Sequence, residues 1–426
     1  MSTIHAIKAR EVLDGRGFPT LEVTLWLQDG RSVITQVPTD LSYKHSQAKS
    51  LRDNDAQEYN GQGVKQAVRN VNEVIGPQLV NQSVIQQGQI DQALIQLDGT
   101  LDRSNLGSNA LLAVSMAAVK AGALSTNLTL YNYFWQKYQL TEYLSLPNCI
   151  YNIIDGGKYG NGNLDFQEFQ IIPASHIDFA TSMAMSSTVK QKLAEVISNK
   201  GGNVCSGVLG GFLPRLNNNK DVFELILEAI KGTKYNYAQE VFFGLAAGSD
   251  DLATDRRYTI RDKNEKFSEA DLLEYYQNIR ETYKVIYFED PFANHSSKAW
   301  RKLTNKLGQT TKIAGDAFLS GETSSIEQKL GQGCCNSMVI KLLNRSTISE
   351  TMQLIKMAKD AQLQVVIDQQ QGETNEDLLV DLAVGAGADY VKFGPPNRGE
   401  KIAKYNRLIR ISEELDQSEQ QQPQTA

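Results

Sequence analysis

Residues 337–367 read SMVIKLLNRSTISETMQLIKMAKDAQLQVVI. A short apolar run, Ser337 to Ile340, precedes an amphipathic stretch, Thr347 to Ala361, and a second apolar run follows at Gln364 to Ile367. Strand, helix and strand at this spacing predict two parallel strands joined by a crossover helix.

The same unit recurs outward from it. Apolar runs stand at Lys284 to Phe288 (KVIYF), Lys312 to Ala314 (KIA) and Asp389 to Lys392 (DYVK), with a further helical pattern at Glu376 to Gly385. This many units from Leu146 onward predict a closed barrel rather than an open sheet. Upstream the rhythm differs. Ile4 to Leu13 and Leu21 to Leu27 alternate apolar and polar residues around DGRG, as antiparallel strands do. Helical spacing follows at Val64 to Leu79 and Gln89 to Leu97, and Asn109 to Leu124 is Ala-rich and apolar on most faces, as a buried helix is. The expected organisation is α/β: an α+β capping domain over residues 1–140, a barrel over 141–415, and a polar, Gln-rich tail over 416–426 that is expected to be disordered.

At 426 residues, 41% hydrophobic and 22% charged, the chain has ordinary globular composition and enough apolar material for a large core. A net charge of -6 gives no electrostatic reason for nucleic acid or an anionic membrane as partner. The N-terminus lacks the apolar segment of a secretory signal, and no uninterrupted apolar run is long enough to span a bilayer, so a cytoplasmic location is expected. Cys149, Cys205, Cys334 and Cys335 show no metal-binding spacing and are expected to be free, buried thiols.

Charged residues close several of the apolar runs: Glu168 in FQEF, Glu289 in YFEDPF, Asp316 in AGDAF, Lys341 in VIKLLN and Lys392 in VKFGPPNRG. One such residue alone is more often half of a structural salt bridge. A set of them at successive strand ends converges on one spot, where carboxylates and lysines suggest a divalent cation and a lysine base.

These segments carry a resemblance. AREVLDGRGFPTLEV, LDGTLDRSNLGSNALLAVS, NIIDGG, QEFQIIP, EDPF, QGETNEDLLVDLAVG and KIAKYNRLIRISEEL follow one another along nearly the whole chain in the order of the enolase family. That family converts 2-phosphoglycerate to phosphoenolpyruvate with magnesium. The resemblance implies an enolase fold, in which a small N-terminal domain caps a modified (β/α)8 TIM-type barrel with unusually wound first units. It places Lys341 as the base, Lys392 as the second lysine near the substrate carboxylate, Glu168 as an active-site glutamate, and Glu289 and Asp316 as magnesium carboxylates. It also implies a dimer, with itself or with an enolase subunit, and a small carboxylate as ligand.

The departures are as informative. The third metal carboxylate belongs where Gly244, Leu245 and Ala246 stand, which weakens the expected Mg2+ site. Asp250 or Asp251 could in principle reach in. Leu209 occupies the place of the glutamate that assists the leaving hydroxyl. Gln369, Gln370 and Gln371 replace His-Arg-Ser and remove the arginine that clamps phosphate. Tyr159 replaces a histidine, Ala317 follows Asp316 in place of a second aspartate, and the mobile glycine-containing loop reads Thr39, Asp40, Leu41, Ser42, Tyr43, Lys44. The leading expectation is a degenerate enolase homologue with lost or severely reduced dehydratase activity and a binding role. The alternatives are residual enolase activity and proton abstraction from a different carboxylate.

Overall fold

The computed structural model describes residues 2–39, 48–262 and 265–421. Strand β1 (Ile4–Leu13) pairs antiparallel with β2 (Pro19–Leu27), which pairs with β3 (Ser32–Gln36). The Asp14 carboxylate closes the turn between the first two, accepting from the Arg16 and Phe18 N–H groups at 2.8 and 2.9 Å. The helix expected over Val64–Leu79 is interrupted: α1 (Lys65–Arg69) runs into a π-helical turn at Asn70–Ile75 and then α2 (Gly76–Leu79). Pro77 lacks the N–H that would continue the ladder, and the Asn72 side chain exchanges two hydrogen bonds with the Ala9 main chain instead. After α3 (Gln87–Asp98) comes α4 (Ser108–Thr126), then α5 (Leu130–Tyr138). By length and composition α4 could cross a membrane, but it packs against β2, β3, α3 and α5 as the central core helix of this domain.

The barrel opens with one strand split at Ile150 into β4 (Asn148–Cys149) and β5 (Tyr151–Asp155). Then β6 (Glu168–Pro173) runs antiparallel to its neighbours and is followed by two helices in succession, α6 (Phe179–Asn199) and α7 (Lys220–Lys231). From β7 (Val241–Ala246) onward the winding is regular, apart from the small hairpin β8 (Ala253–Thr254) and β9 (Arg257–Tyr258). The remaining units are α8 (Glu269–Tyr283), β10 (Val285–Glu289), α9 (Ser297–Leu307), β11 (Lys312–Gly315), α10 (Thr323–Gly331), β12 (Ser337–Ile340), α11 (Ile348–Asp360), β13 (Gln364–Asp368), α12 (Leu378–Gly385), β14 (Tyr390–Lys392) and α13 (Gly399–Gln421). The sheet order β4-β14-β13-β12-β11-β10-β7-β6-β5 closes into a ring through the split first strand.

Successive side chains on a strand alternate faces, so each inward charged residue has an inward neighbour two positions away. Ile150, Tyr287, Ala314, Val339 and Val366 form a buried apolar layer with Ile172, and Tyr390 packs on it. Two residues further on lie Asn152, Glu289, Asp316, Lys341, Asp368 and Lys392. The polar site is thus the next layer above an apolar plug.

The two domains are stitched together beside that layer. Thr39 and Gly372 exchange main-chain hydrogen bonds at 2.6 and 2.9 Å, and the Gly15 N–H donates to the Glu373 carbonyl at 2.7 Å. Glu376 accepts from Lys120 at 3.0 Å and from the Thr35 hydroxyl at 2.8 Å.

Two expectations change. Cys205 is exposed, because it lies on the irregular stretch after α6, whereas Cys149, Cys334 and Cys335 are buried; all are free. Helix α13 continues through Gln421 into the stretch read as a disordered tail, since Glu and Gln there are good helix formers. Of the loop Thr39–Lys44, only Thr39 falls among the described residues.

Candidate active site at the barrel mouth

The strand ends bring Glu168, Glu289, Asp316, Lys341 and Lys392 around one polar cavity of about 110 Å³. Glu289 and Lys392 are the last residues of β10 and β14, while Asp316 and Lys341 lie just past β11 and β12. Glu168 differs from the expectation, because it begins its strand rather than ending it. The antiparallel course of β6 lifts its first residue to the level of the other strands' C-termini, opposite Asp155 and Ala246.

The lysines are fully engaged. The Lys392 ammonium, 3% exposed, donates to both oxygens of Glu289 at 2.7 and 2.8 Å. It also lies 3.1 Å from Asp368 and 3.4 Å from Glu168. Lys341 pairs with Asp316 and lies 3.3 Å from Asp368. Burial by itself would favour the neutral amines. The facing carboxylates outweigh it and hold both lysines well above the ordinary lysine value, Asp316 and Asp368 acting on Lys341 and Asp368, Glu168 and Glu289 on Lys392.

Asp368, at the end of β13, is the functional residue the sequence reading missed. Burial pushes its carboxyl up to about 7, against the pull of Lys392 and Lys341. The signal was present, since Asp368 closes the run QVVI just as Glu289 closes KVIYF. Asp290 was also passed over. Its carboxylate does structural work, accepting from the main-chain N–H groups of Asp316, Ala317 and Phe318 at 3.0, 2.8 and 3.3 Å. Burial, with Asp316 and Glu289 nearby, pushes it up to about 8.

Opposite the lysines, the loop Gly207–Gly211 is bolted in place. The Asp155 carboxylate accepts from the Leu209 and Gly211 N–H groups at 2.9 and 3.0 Å, and Lys401 donates to the Leu209 carbonyl. Arg398 donates to the carbonyls of Gly207 and Val208 at 2.5 and 2.9 Å. A Cβ at Gly207 or Gly211 would collide with the Asp155 carboxylate, so this close approach requires glycine. Leu209 lines the cavity.

At the rim, Gln371 donates to the Tyr159 hydroxyl at 2.7 Å, and Lys158 pairs with Asp251 at 3.0 Å. Asp251 also accepts from Gln167 at 3.0 Å, and Asp250 from the Asn294 N–H at 2.8 Å. Both aspartates are therefore committed at the rim. Among the described residues, the carboxylates that gather closely enough for a cation are Glu289, Asp316 and Asp368, with ligand oxygens within 4.8 Å of one another.

Two family models account for nearly the whole chain. The enolase N-terminal domain matches residues 4–134, and the enolase C-terminal TIM barrel domain matches residues 143–425. The chain belongs to the enolase family. Enolases generally use Mg2+, and the family's own donor set does not fit that ion here. Ala246 stands in register between Glu168 and Glu289 and offers only a methyl group. Of the two carboxylates left from that set, Glu289 has both oxygens bound by Lys392.

Proposed function

We propose that this enolase-family chain does not dehydrate 2-phosphoglycerate at an ordinary rate and that its barrel mouth is a ligand-binding site. The observation that carries this reading is Leu209, whose main chain is locked and which lines the cavity at the position where the family resemblance places a proton donor. Leucine has no proton to give to a leaving hydroxyl, and loss of a general acid commonly removes a factor of roughly 10²–10⁴ in rate. The ion-paired state of Lys341 adds to it, because a base must first be deprotonated. The neutral amide of Gln370 cannot replace a bidentate guanidinium on phosphate. The test is phosphoenolpyruvate formation from 2-phosphoglycerate at saturating magnesium, with Lys341→Ala as control. No rate above the control is expected. A rate within roughly tenfold of ordinary enzyme turnover, abolished by the substitution, would overturn the reading.

A second reading has its own support: Lys341 and Lys392 remain together inside the cavity. Proton abstraction from a small, non-phosphorylated carboxylate would use them without a phosphate clamp. It requires deuterium exchange from solvent beside the carboxyl group of such an acid, followed by NMR and lost in Lys341→Ala. A panel of small carboxylic acids that shows no exchange removes it.

A further inference from the structure

The loop that carries Leu209 has a second cavity at its base. The Leu213 N–H donates to the Cys205 carbonyl at 3.0 Å and Ser206 pairs with Phe212, so the chain leaves for Leu209 and returns through one short antiparallel contact. Helix α6 ends beside the same cavity. The N–H groups of Lys200, Gly201 and Gly202 return to the carbonyls of Val196, Ser198 and Ile197 at 3.2, 2.9 and 2.9 Å, which satisfies the last turn. Gly201 holds a φ of +75°, and a Cβ on Gly202 would stand 2.9 Å from the Ile197 side chain, so the turn needs both glycines.

This cavity has a volume of about 460 Å³, larger than the mouth, and shares no lining residue with it. Its size falls in the range of small-molecule sites. Ile197, Leu213, Pro214, Leu216 and Leu225 make its walls apolar. The charged residues of its lining are Lys200 and Arg215, both basic. Lys200 pairs with Glu228 at 3.0 Å, a half-exposed contact that solvent screens. Arg215 is exposed and makes no ion pair among the described residues. An exposed arginine is ordinary on its own. At the edge of an apolar cavity it fixes the chemistry of the ligand: a hydrocarbon body gains by leaving water, and a carboxylate accepts two parallel N–H bonds from a guanidinium.

We propose that this cavity binds a small aliphatic carboxylate, with its hydrocarbon chain against Ile197, Leu213 and Leu225 and its carboxylate on Arg215. The inference goes beyond the reading of the barrel mouth and does not rest on it. Cys205 supplies the readout, because its exposed thiol lines the same cavity while Cys149, Cys334 and Cys335 are buried.

The probe is hexanoate, added to the full chain while iodoacetamide alkylates Cys205 and mass spectrometry follows the labelled peptide. Hexanoate at millimolar concentration should slow the alkylation in a saturable way. Hexanamide, equal in length but uncharged, should need roughly tenfold more for the same protection, the scale of one charge-assisted hydrogen bond. R215M, a change at an exposed residue, should bring hexanoate down to the level of hexanamide. Each rate is compared with that of the same chain without ligand, so any effect of the substitution on the thiol itself cancels. Alkylation that hexanoate leaves unchanged overturns the proposal. So does hexanamide protecting as well as hexanoate, or R215M being protected by hexanoate as well as the parent.

Discussion

Asp155 shows how much one side chain can carry. It ties the Leu209 loop to the barrel, and burial pushes its carboxyl up from 3.8 to about 6. The folded chain therefore keeps this proton at pH values where the unfolded chain has lost it. The stabilisation is fully present below about pH 4 and is lost as pH rises through about 6, on the order of 3 kcal/mol in all. Asp155→Asn should flatten that part of the stability profile in denaturant melts at stepped pH. It should also cost about 1–3 kcal/mol near neutrality, because an amide cannot accept from both main-chain N–H groups. A parent-minus-variant difference that does not change with pH would contradict the assignment. Leu209 and Asp368 teach a related lesson. The identity of Leu209 declares at once that no proton donor stands there, whereas Asp368 becomes meaningful only beside the two lysines that flank it.

At the scale of elements, the strand ends decide the chemistry. Alternation puts an apolar residue two positions behind Glu289, Asp316, Lys341, Asp368 and Lys392, so these strands build the plug and the polar layer together. The register sets Ala246 level with Glu168 and Glu289, on adjacent strands. Ala246→Asp would place another carboxylate between them. Without metal this should destabilise the fold by roughly 3–5 kcal/mol, the scale of an uncompensated buried charge. Added Mg2+ should recover part of that loss, measured as a shift in thermal midpoint larger than the parent's. An Ala246→Asp variant that melts with the parent in metal-free buffer would show that the β7 end is open to water. The antiparallel β6 and the π-helical turn at Asn70–Ile75 were not legible from periodicity alone, because alternation reports which face is buried and not which way a strand runs.

Across the whole molecule, the small domain holds the rim of the mouth. Thr39, Gly15 and Lys120 each reach the segment from Gly372 to Glu376, which follows the three glutamines. Lys120→Ala should leave Glu376 with the neutral donors of Thr35, Gln36 and Leu378 at 2.8, 3.1 and 3.2 Å and should cost about 1–3 kcal/mol in chemical denaturation. Unchanged stability would mean that the pair is screened by solvent. The amino-acid order by itself determined the α/β class, the barrel, most element positions and five of the strand-end charges, because periodicity and strand-terminal polarity are local properties of the chain. It also shows that Ala246 offers no carboxylate and Leu209 no proton, because a missing functional group is visible in the residue's name. Only the tertiary structure decided that Lys392 binds both oxygens of Glu289, that Glu168 begins its strand, and that Asp368 joins the carboxylates. Those facts depend on closing the ring, which brings residues from β6, β10, β13 and β14 within a few ångströms, and on burial, which makes each unpaired charge costly.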